Sequence, residues 1–101
     1  MAVLDTNIIV SALLRPQGRP SALLTLVVTG RVTPCYDGRI LAEYADVLAR
    51  PAFGFDAQVS GAIIHRIRTA GLAVIAPPLN VALPDEDDRP FVEVAEAANA
   101  A

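Results

Sequence analysis

Apolar and polar positions follow two rhythms along this chain. Short unbroken apolar runs alternate with longer stretches in which apolar residues return every three or four positions. The first run, Ala2-Val3-Leu4, ends at Asp5 and does not alternate, as expected of a strand covered on both faces, so a strand is predicted over residues 2–5. Helical spacing follows over residues 8–14 and stops at Arg15-Pro16-Gln17-Gly18. Ser21 reads as the N-cap of a helix over residues 22–29, with Leu23, Leu24, Val27 and Val28 at helical spacing and Gly30 after its end. A second strand is expected over 32–36. Asp37 then caps a helix over 38–49 whose stripe is Ile40, Leu41, Tyr44, Val47 and Leu48, ended by Arg50-Pro51.

A further helix is predicted over 56–70 with Val59, Ile63 and Ile67 inward and Gly71 closing it. A third strand follows over 72–76, stopped by Pro77-Pro78, and a last helix runs from near Asp87 to the end of the chain, carrying Phe91, Val92, Val94 and Ala95. Strands alternating with amphipathic helices indicate an α/β fold with a parallel sheet and right-handed crossovers. Three strands for about five helices is a thin sheet. The return into it would be expected near Asn99-Ala100-Ala101.

Composition narrows the class. The chain has 101 residues, enough for one domain, and is 53% hydrophobic, yet charges or turn residues interrupt every run short of the roughly 20 apolar residues of a membrane span. No basic segment precedes the first apolar run, so a cytosolic protein without a signal peptide or membrane association is expected. The single Cys35 has no partner for an internal disulfide and reads as a small buried hydrophobe. Net charge is −3 and every basic side chain is Arg. That balance argues against passive coating of nucleic acid, but not against an enzyme that grips a phosphodiester through metal ions and a few Arg contacts.

The acidic residues carry the candidate chemistry. Asp5 closes the first strand beside Thr6 and Asn7, where α/β folds build polar sites, with capping of the following helix through Thr6 or Asn7 as the alternative. Glu43 lies beside the apolar stripe of its helix, where an ordinary solvated residue is the alternative. Asp85, Asp87 and Asp88 crowd the start of the last helix, where a helix dipole favours negative charge and an N-capping cluster is the plain reading. Carboxylates gathered in one crevice repel one another unless a proton or cation intervenes, which points to a divalent metal. Arg15, Arg19 and Arg89 are candidate phosphate contacts. His65 reads as a surface residue, because no second His or further Cys is available for a zinc site. Tyr36, Tyr44, Phe53 and Phe55 read as core or interface rather than base-stacking surface.

Three collinear stretches resemble one family. Val3-Leu4-Asp5-Thr6-Asn7-Ile8-Ile9-Val10-Ser11-Ala12-Leu13-Leu14 resembles the opening motif of PIN-domain proteins, especially the branch of toxins from toxin–antitoxin pairs akin to VapC. Arg39-Ile40-Leu41-Ala42-Glu43-Tyr44, running on to Val47-Leu48-Ala49-Arg50-Pro51-Ala52-Phe53, resembles the same branch. So does Leu83-Pro84-Asp85-Glu86-Asp87-Asp88-Arg89-Pro90-Phe91-Val92-Glu93-Val94-Ala95. The resemblance implies a PIN-like three-layer fold, with a small parallel sheet flanked by helices, and a metal-dependent endoribonuclease neutralised by a cognate antitoxin. It implies Asp5, Glu43 and Asp88 as catalytic residues. Asp85 would join them around Mg²⁺ or Mn²⁺, and Thr6 and Asn7 would orient the first Asp. A homodimer is a further expectation.

The resemblance has one departure. Such domains continue past the last helix into another strand beside the first, and this sequence stops at Ala101. Residues 1–101 are therefore expected to form a single PIN-like domain lacking its C-terminal strand. The competing expectation is a catalytically inactive module that acts only by binding protein. A phosphatase with an Asp nucleophile fits less well, because it would want a second Asp where Asn7 stands.

Overall fold

The computed structural model describes residues 1–100. Five α-helices and two short strands follow in the order α1 (Thr6–Leu14), α2 (Arg19–Val28), β1 (Cys35–Tyr36), α3 (Gly38–Leu48), α4 (Ala57–Ala70), β2 (Leu72–Ala73) and α5 (Arg89–Ala98). A 3₁₀ turn, Glu86–Asp88, leads into α5. β1 and β2 pair in parallel, Cys35 opposite Leu72 and Tyr36 opposite Ala73, with helices around them. This is the expected α/β arrangement of a small parallel sheet flanked by helices. Ala101 lies outside the described residues. No described helix is long and apolar enough to cross a membrane.

The sheet is shorter than the apolar runs suggest. The strand expected over 2–5 contracts to one parallel bridge, Ala2 to Pro34. It is made by Ala2 N–H donating to Thr33 O at 3.0 Å and Cys35 N–H donating to Ala2 O at 2.8 Å. On the other side of β1, Leu72 N–H donates to Pro34 O and Val74 N–H to Tyr36 O, both at 2.8 Å. Asp5 ends the first strand early, because its extended backbone and carboxylate cap α1 by accepting from Asn7 N–H at 3.0 Å. A capped helix satisfies N–H groups that a longer strand would leave to solvent, so α1 begins at Thr6 rather than residue 8.

Pro34, without an N–H, shortens the second predicted strand to Cys35–Tyr36. The third, expected to reach Ala76, ends at Ala73, and Ile75 beyond it is 97% exposed.

Helix boundaries shift for local reasons. α2 starts at Arg19 with Gly18 as its N-cap and Pro20 in the first turn. Ser21 is therefore inside the helix and not its cap: proline's fixed φ suits a helix start. Asp37 caps α3 as expected, accepting from Ile40 N–H at 3.0 Å. Asp56 caps α4 through Gln58 N–H. The inward stripe of α4 is Ser60, Ile63 and Ile67, spaced by three and four. Val59, expected inward, lies at the edge of that stripe, about 40° from Ile63, and is 46% exposed. The last helix proper begins at Arg89, after the 3₁₀ turn, and ends at Asn99 in a left-handed C-cap (φ 51°).

The core gathers the inner faces of these elements: Leu4, Ile9, Val27, Cys35, Ile40, Tyr44, Leu48, Ile67 and Val94 are all 2% exposed or less. Burial of Cys35 fits its reading as a small hydrophobe, and His65 is exposed on α4. Where α4 turns into β2, backbone meets backbone. A methyl group on Gly71 would stand 2.4 Å from Ile67 O and 2.6 Å from Pro34 O, both immobile. Gly61, within α4, has nothing within 4 Å of such a position.

Two alanine substitutions should therefore move stability in opposite directions. Gly71→Ala is expected to destabilise the fold by about 1–3 kcal/mol through overpacking. Gly61→Ala should stabilise it by about 0.5–1 kcal/mol, the helix-propensity difference. Urea melts of both variants against the parent chain check the pair.

Candidate functional site

A pocket of about 260 Å³ opens where the start of α1, the flank of α3 and the 3₁₀ turn meet. Asp5, Thr6 and Asn7 line it from the α1 cap, and Glu43 and Val47 from α3. Arg50 and Phe53 reach it from the turn after α3, and Asp85, Asp87, Asp88 and Phe91 from the entry to α5. All the acidic residues singled out in the sequence thus border one cavity, though they come from three separate stretches. They are five: Asp5, Glu43, Asp85, Asp87 and Asp88.

One wall is built on buried contacts. Leu4 is 2% exposed, and its carbonyl oxygen accepts the Tyr44 hydroxyl at 2.6 Å, with Tyr44 itself fully buried. Leu4 precedes Asp5 and Tyr44 follows Glu43, so this single bond fixes the two carboxylate-bearing segments against each other. Thr6, 4% exposed, adds a second link by donating its hydroxyl to Glu43 Oε2. Burial holds the Tyr44 phenol well above its ordinary pKa, and the negative charges of Asp5 and Glu43 push it the same way. The phenol therefore stays protonated and remains a donor. Asp5 spends one oxygen on its cap, and its second has no hydrogen-bond partner among the described residues.

The opposite wall is a surface turn held by charge. Asp85 accepts from Asp87 N–H at 2.9 Å, and Asp88 N–H donates to Asp85 O at 3.1 Å. The Asp88 carboxylate makes no capping bond. Arg89 anchors the turn by donating to Glu86, to Leu79 O at 2.8 Å and to Val81 O at 2.6 Å. Glu93, 4% exposed, accepts from Arg39 at 2.7 Å and from Leu79 N–H at 2.8 Å. These bonds, the Arg39 contact foremost, hold the Glu93 carboxyl below its ordinary pKa.

The donor set suits a hard divalent cation. Carboxylate and hydroxyl oxygens are the ligands Mg²⁺ and Mn²⁺ prefer, and softer donors are absent from the lining. Among the described residues no three His, Cys, Asp or Glu side chains converge into a cage for a metal ion. Mg²⁺ does not require one, since it keeps several waters and binds through one or two carboxylates.

The basic residues fall differently from expectation. Arg15 and Arg19 are exposed and do not line the pocket, and Arg89 is consumed in bracing the turn. Arg50 is the one cation at the rim, and in the sequence it stands only as part of a helix stop and of the second resembling stretch, with no role in the site. Glu43 and Val47 share a face of α3 at i and i+4, and Arg50 reaches the same side from the turn after the helix, which no spacing rule announces. Phe53, expected in core or interface, is half-buried at the same rim.

Two outcomes follow from this geometry. Tyr44→Phe leaves the buried Leu4 carbonyl unsatisfied, which should cost about 1–3 kcal/mol in a urea melt. The Glu93 contribution is tied to pH. Its folded pKa lies below the ordinary 4.5, so its stabilisation is complete above that value and is lost as pH falls through the folded pKa. Urea midpoints taken from neutral pH down to roughly pH 3 should decline, and Glu93→Gln should start lower and decline less steeply.

Comparison with known proteins agrees with this arrangement. Residues 1–101 match the PIN domain family over the whole chain. No curated protein and no solved structure matches it. On a match of that extent, the chain belongs to the PIN domain family.

Proposed function

We propose that this protein is a metal-dependent endoribonuclease of the PIN/VapC toxin type, hydrolysing RNA phosphodiester bonds. PIN domains are generally metal-dependent nucleases, and the family match supports that coarser reading directly. The observation that carries the finer one is the shared pocket: Asp5, Glu43, Asp85 and Asp88 border one cavity from three distant stretches of chain. We read residues 1–101 as one such domain, which the span of the match supports.

Asp5 and Asp88 would hold Mg²⁺ or Mn²⁺, with Asp85 and Glu43 beside them. When bound, the ion supplies positive charge that polarises the scissile phosphate and acidifies a water. Glu43, oriented by the Thr6 hydroxyl, is the carboxylate suited to accept that water's proton. The Asn7 N–H fixes the rotation of Asp5, which leaves the other Asp5 oxygen for the cation. Tyr44 moves no proton: buried and neutral, it holds Asp5 and Glu43 in register.

The toxin reading adds a cognate antitoxin that neutralises the enzyme, a homodimer, and a cytoplasmic setting where RNA is met. The three collinear motifs support it. A second reading, a catalytically inactive module working through protein binding alone, draws on the lack, among the described residues, of three carboxylates close enough to cage a metal ion.

RNA incubated with the protein and Mg²⁺ or Mn²⁺ separates the two. Cleavage should appear, stop with EDTA, and fall by roughly a hundredfold or more in Asp5→Ala and Asp88→Asn, both folded by circular dichroism. Cleavage that survives in Asp5→Ala, or that never appears in the parent chain, overturns the nuclease reading.

A further inference from the structure

A pocket walled by carboxylates repels the polyanion it is proposed to cut. Five carboxylates face it, and Arg50 is the only basic side chain among its lining residues. The backbone under Arg50 is fixed on both sides. Its N–H donates to Val47 O at 3.1 Å as α3 ends, and its carbonyl accepts from Phe53 N–H at 3.1 Å. Gly54 closes the turn at φ +63°, a conformation that favours glycine, and Phe53 stacks on Phe55 at 5.2 Å.

The guanidinium is far less committed than its base. Its one side-chain contact is Asp46 at 3.4 Å, with the two side chains 58% and 75% exposed. Such an exposed pair contributes about 0–1 kcal/mol and yields readily to a better partner. Arg39, Arg66 and Arg89, by contrast, are bonded to buried or backbone acceptors. A planar fork of donors with spare N–H groups, on a braced turn at the mouth of an acidic pocket, matches two oxygens of a phosphodiester.

We propose that Arg50 grips the RNA backbone at the rim of the pocket and sets the register of the strand over the carboxylates. This rests on the ribonuclease reading of that pocket. Arg50 touches substrate without moving a proton, so its effect falls on binding more than on turnover. A purely structural Arg50, a cation at the C-terminal end of α3, would leave RNA affinity unchanged.

The test pairs binding with cleavage. A fluorescein-labelled single-stranded RNA oligonucleotide of mixed sequence is titrated in EDTA with the parent chain, Arg50→Ala and Arg50→Lys across a range of NaCl concentrations. Arg50→Ala should weaken binding roughly tenfold at low salt. It should also make the slope of log K against log salt shallower by about 0.7, the value for one phosphate contact on a single strand. Arg50→Lys should restore the slope and only part of the affinity, since Lys keeps the charge and loses the fork. With Mg²⁺ or Mn²⁺, KM should rise in Arg50→Ala while kcat stays within about threefold. A parent chain that cleaves RNA while Arg50→Ala keeps its KM and salt slope overturns the Arg50 assignment and leaves the nuclease reading intact. A parent chain that neither binds nor cleaves overturns both.

Discussion

The bond from the Tyr44 hydroxyl to the Leu4 carbonyl is the constraint on which the arrangement of this molecule turns. It joins residues 40 positions apart inside the core, at 2.6 Å and without solvent. A phenol buried this completely needs an acceptor, and a buried carbonyl outside any sheet ladder needs a donor. Each settles the other. Because Asp5 and Glu43 are the next residues along their segments, meeting this core requirement also sets the separation of two pocket carboxylates. The neighbouring Thr6–Glu43 bond closes the same short circuit from the surface side.

Much of this was legible in the sequence, and what was not has identifiable physical causes. Helices α3 and α4 follow from their periodic stripes, and Asp37 caps α3 as its residue type suggests, while Asp56, expected inside α4, is its cap. The strands were overread. An apolar run such as Ala2-Val3-Leu4 reports burial, and burial does not require a ladder. Leu4 is buried by Tyr44 and α1 while only Ala2 pairs with β1. In α4 the expected stripe is inward at Ile63 and Ile67, while Val59, one turn earlier at its edge, is 46% exposed. In the site, the pairing of distant carboxylates was visible only because three motifs occur in a familiar order. No rule of local spacing relates residue 5 to residue 88. Arg50-Pro51 reads as a helix stop, and the place of the Arg50 side chain at the rim depends on the turn that follows α3, which residue type and spacing do not specify.

The acidic residues divide by how they are neutralised. Asp37, Asp46, Glu86 and Glu93 all form ion pairs with arginine. Among the described residues the five carboxylates around the pocket form none. Since the chain carries 8 arginines against 11 acidic residues, a surplus is inevitable, but its concentration on one cavity is not. Four of the six carboxylates away from the pocket carry an arginine with them, and Asp56 and Glu96 do not. Those at the pocket are left with a demand for positive charge that the protein does not meet, which is the electrostatic condition a hard cation satisfies.

The two walls of that pocket are fastened by different forces, and this sets how each responds to its surroundings. The Asp5–Glu43 wall depends on buried neutral hydrogen bonds, which dissolved ions barely reach. The Asp85–Asp88 wall hangs on guanidinium–carboxylate contacts that are partly open to solvent, and mobile ions weaken such contacts within a Debye length of about 10 Å at 0.1 M. Ionic strength therefore acts on the site as a mechanical variable. As it rises, one jaw stays rigid while the other gains play, and the gap between them becomes a property of the medium as well as of the fold.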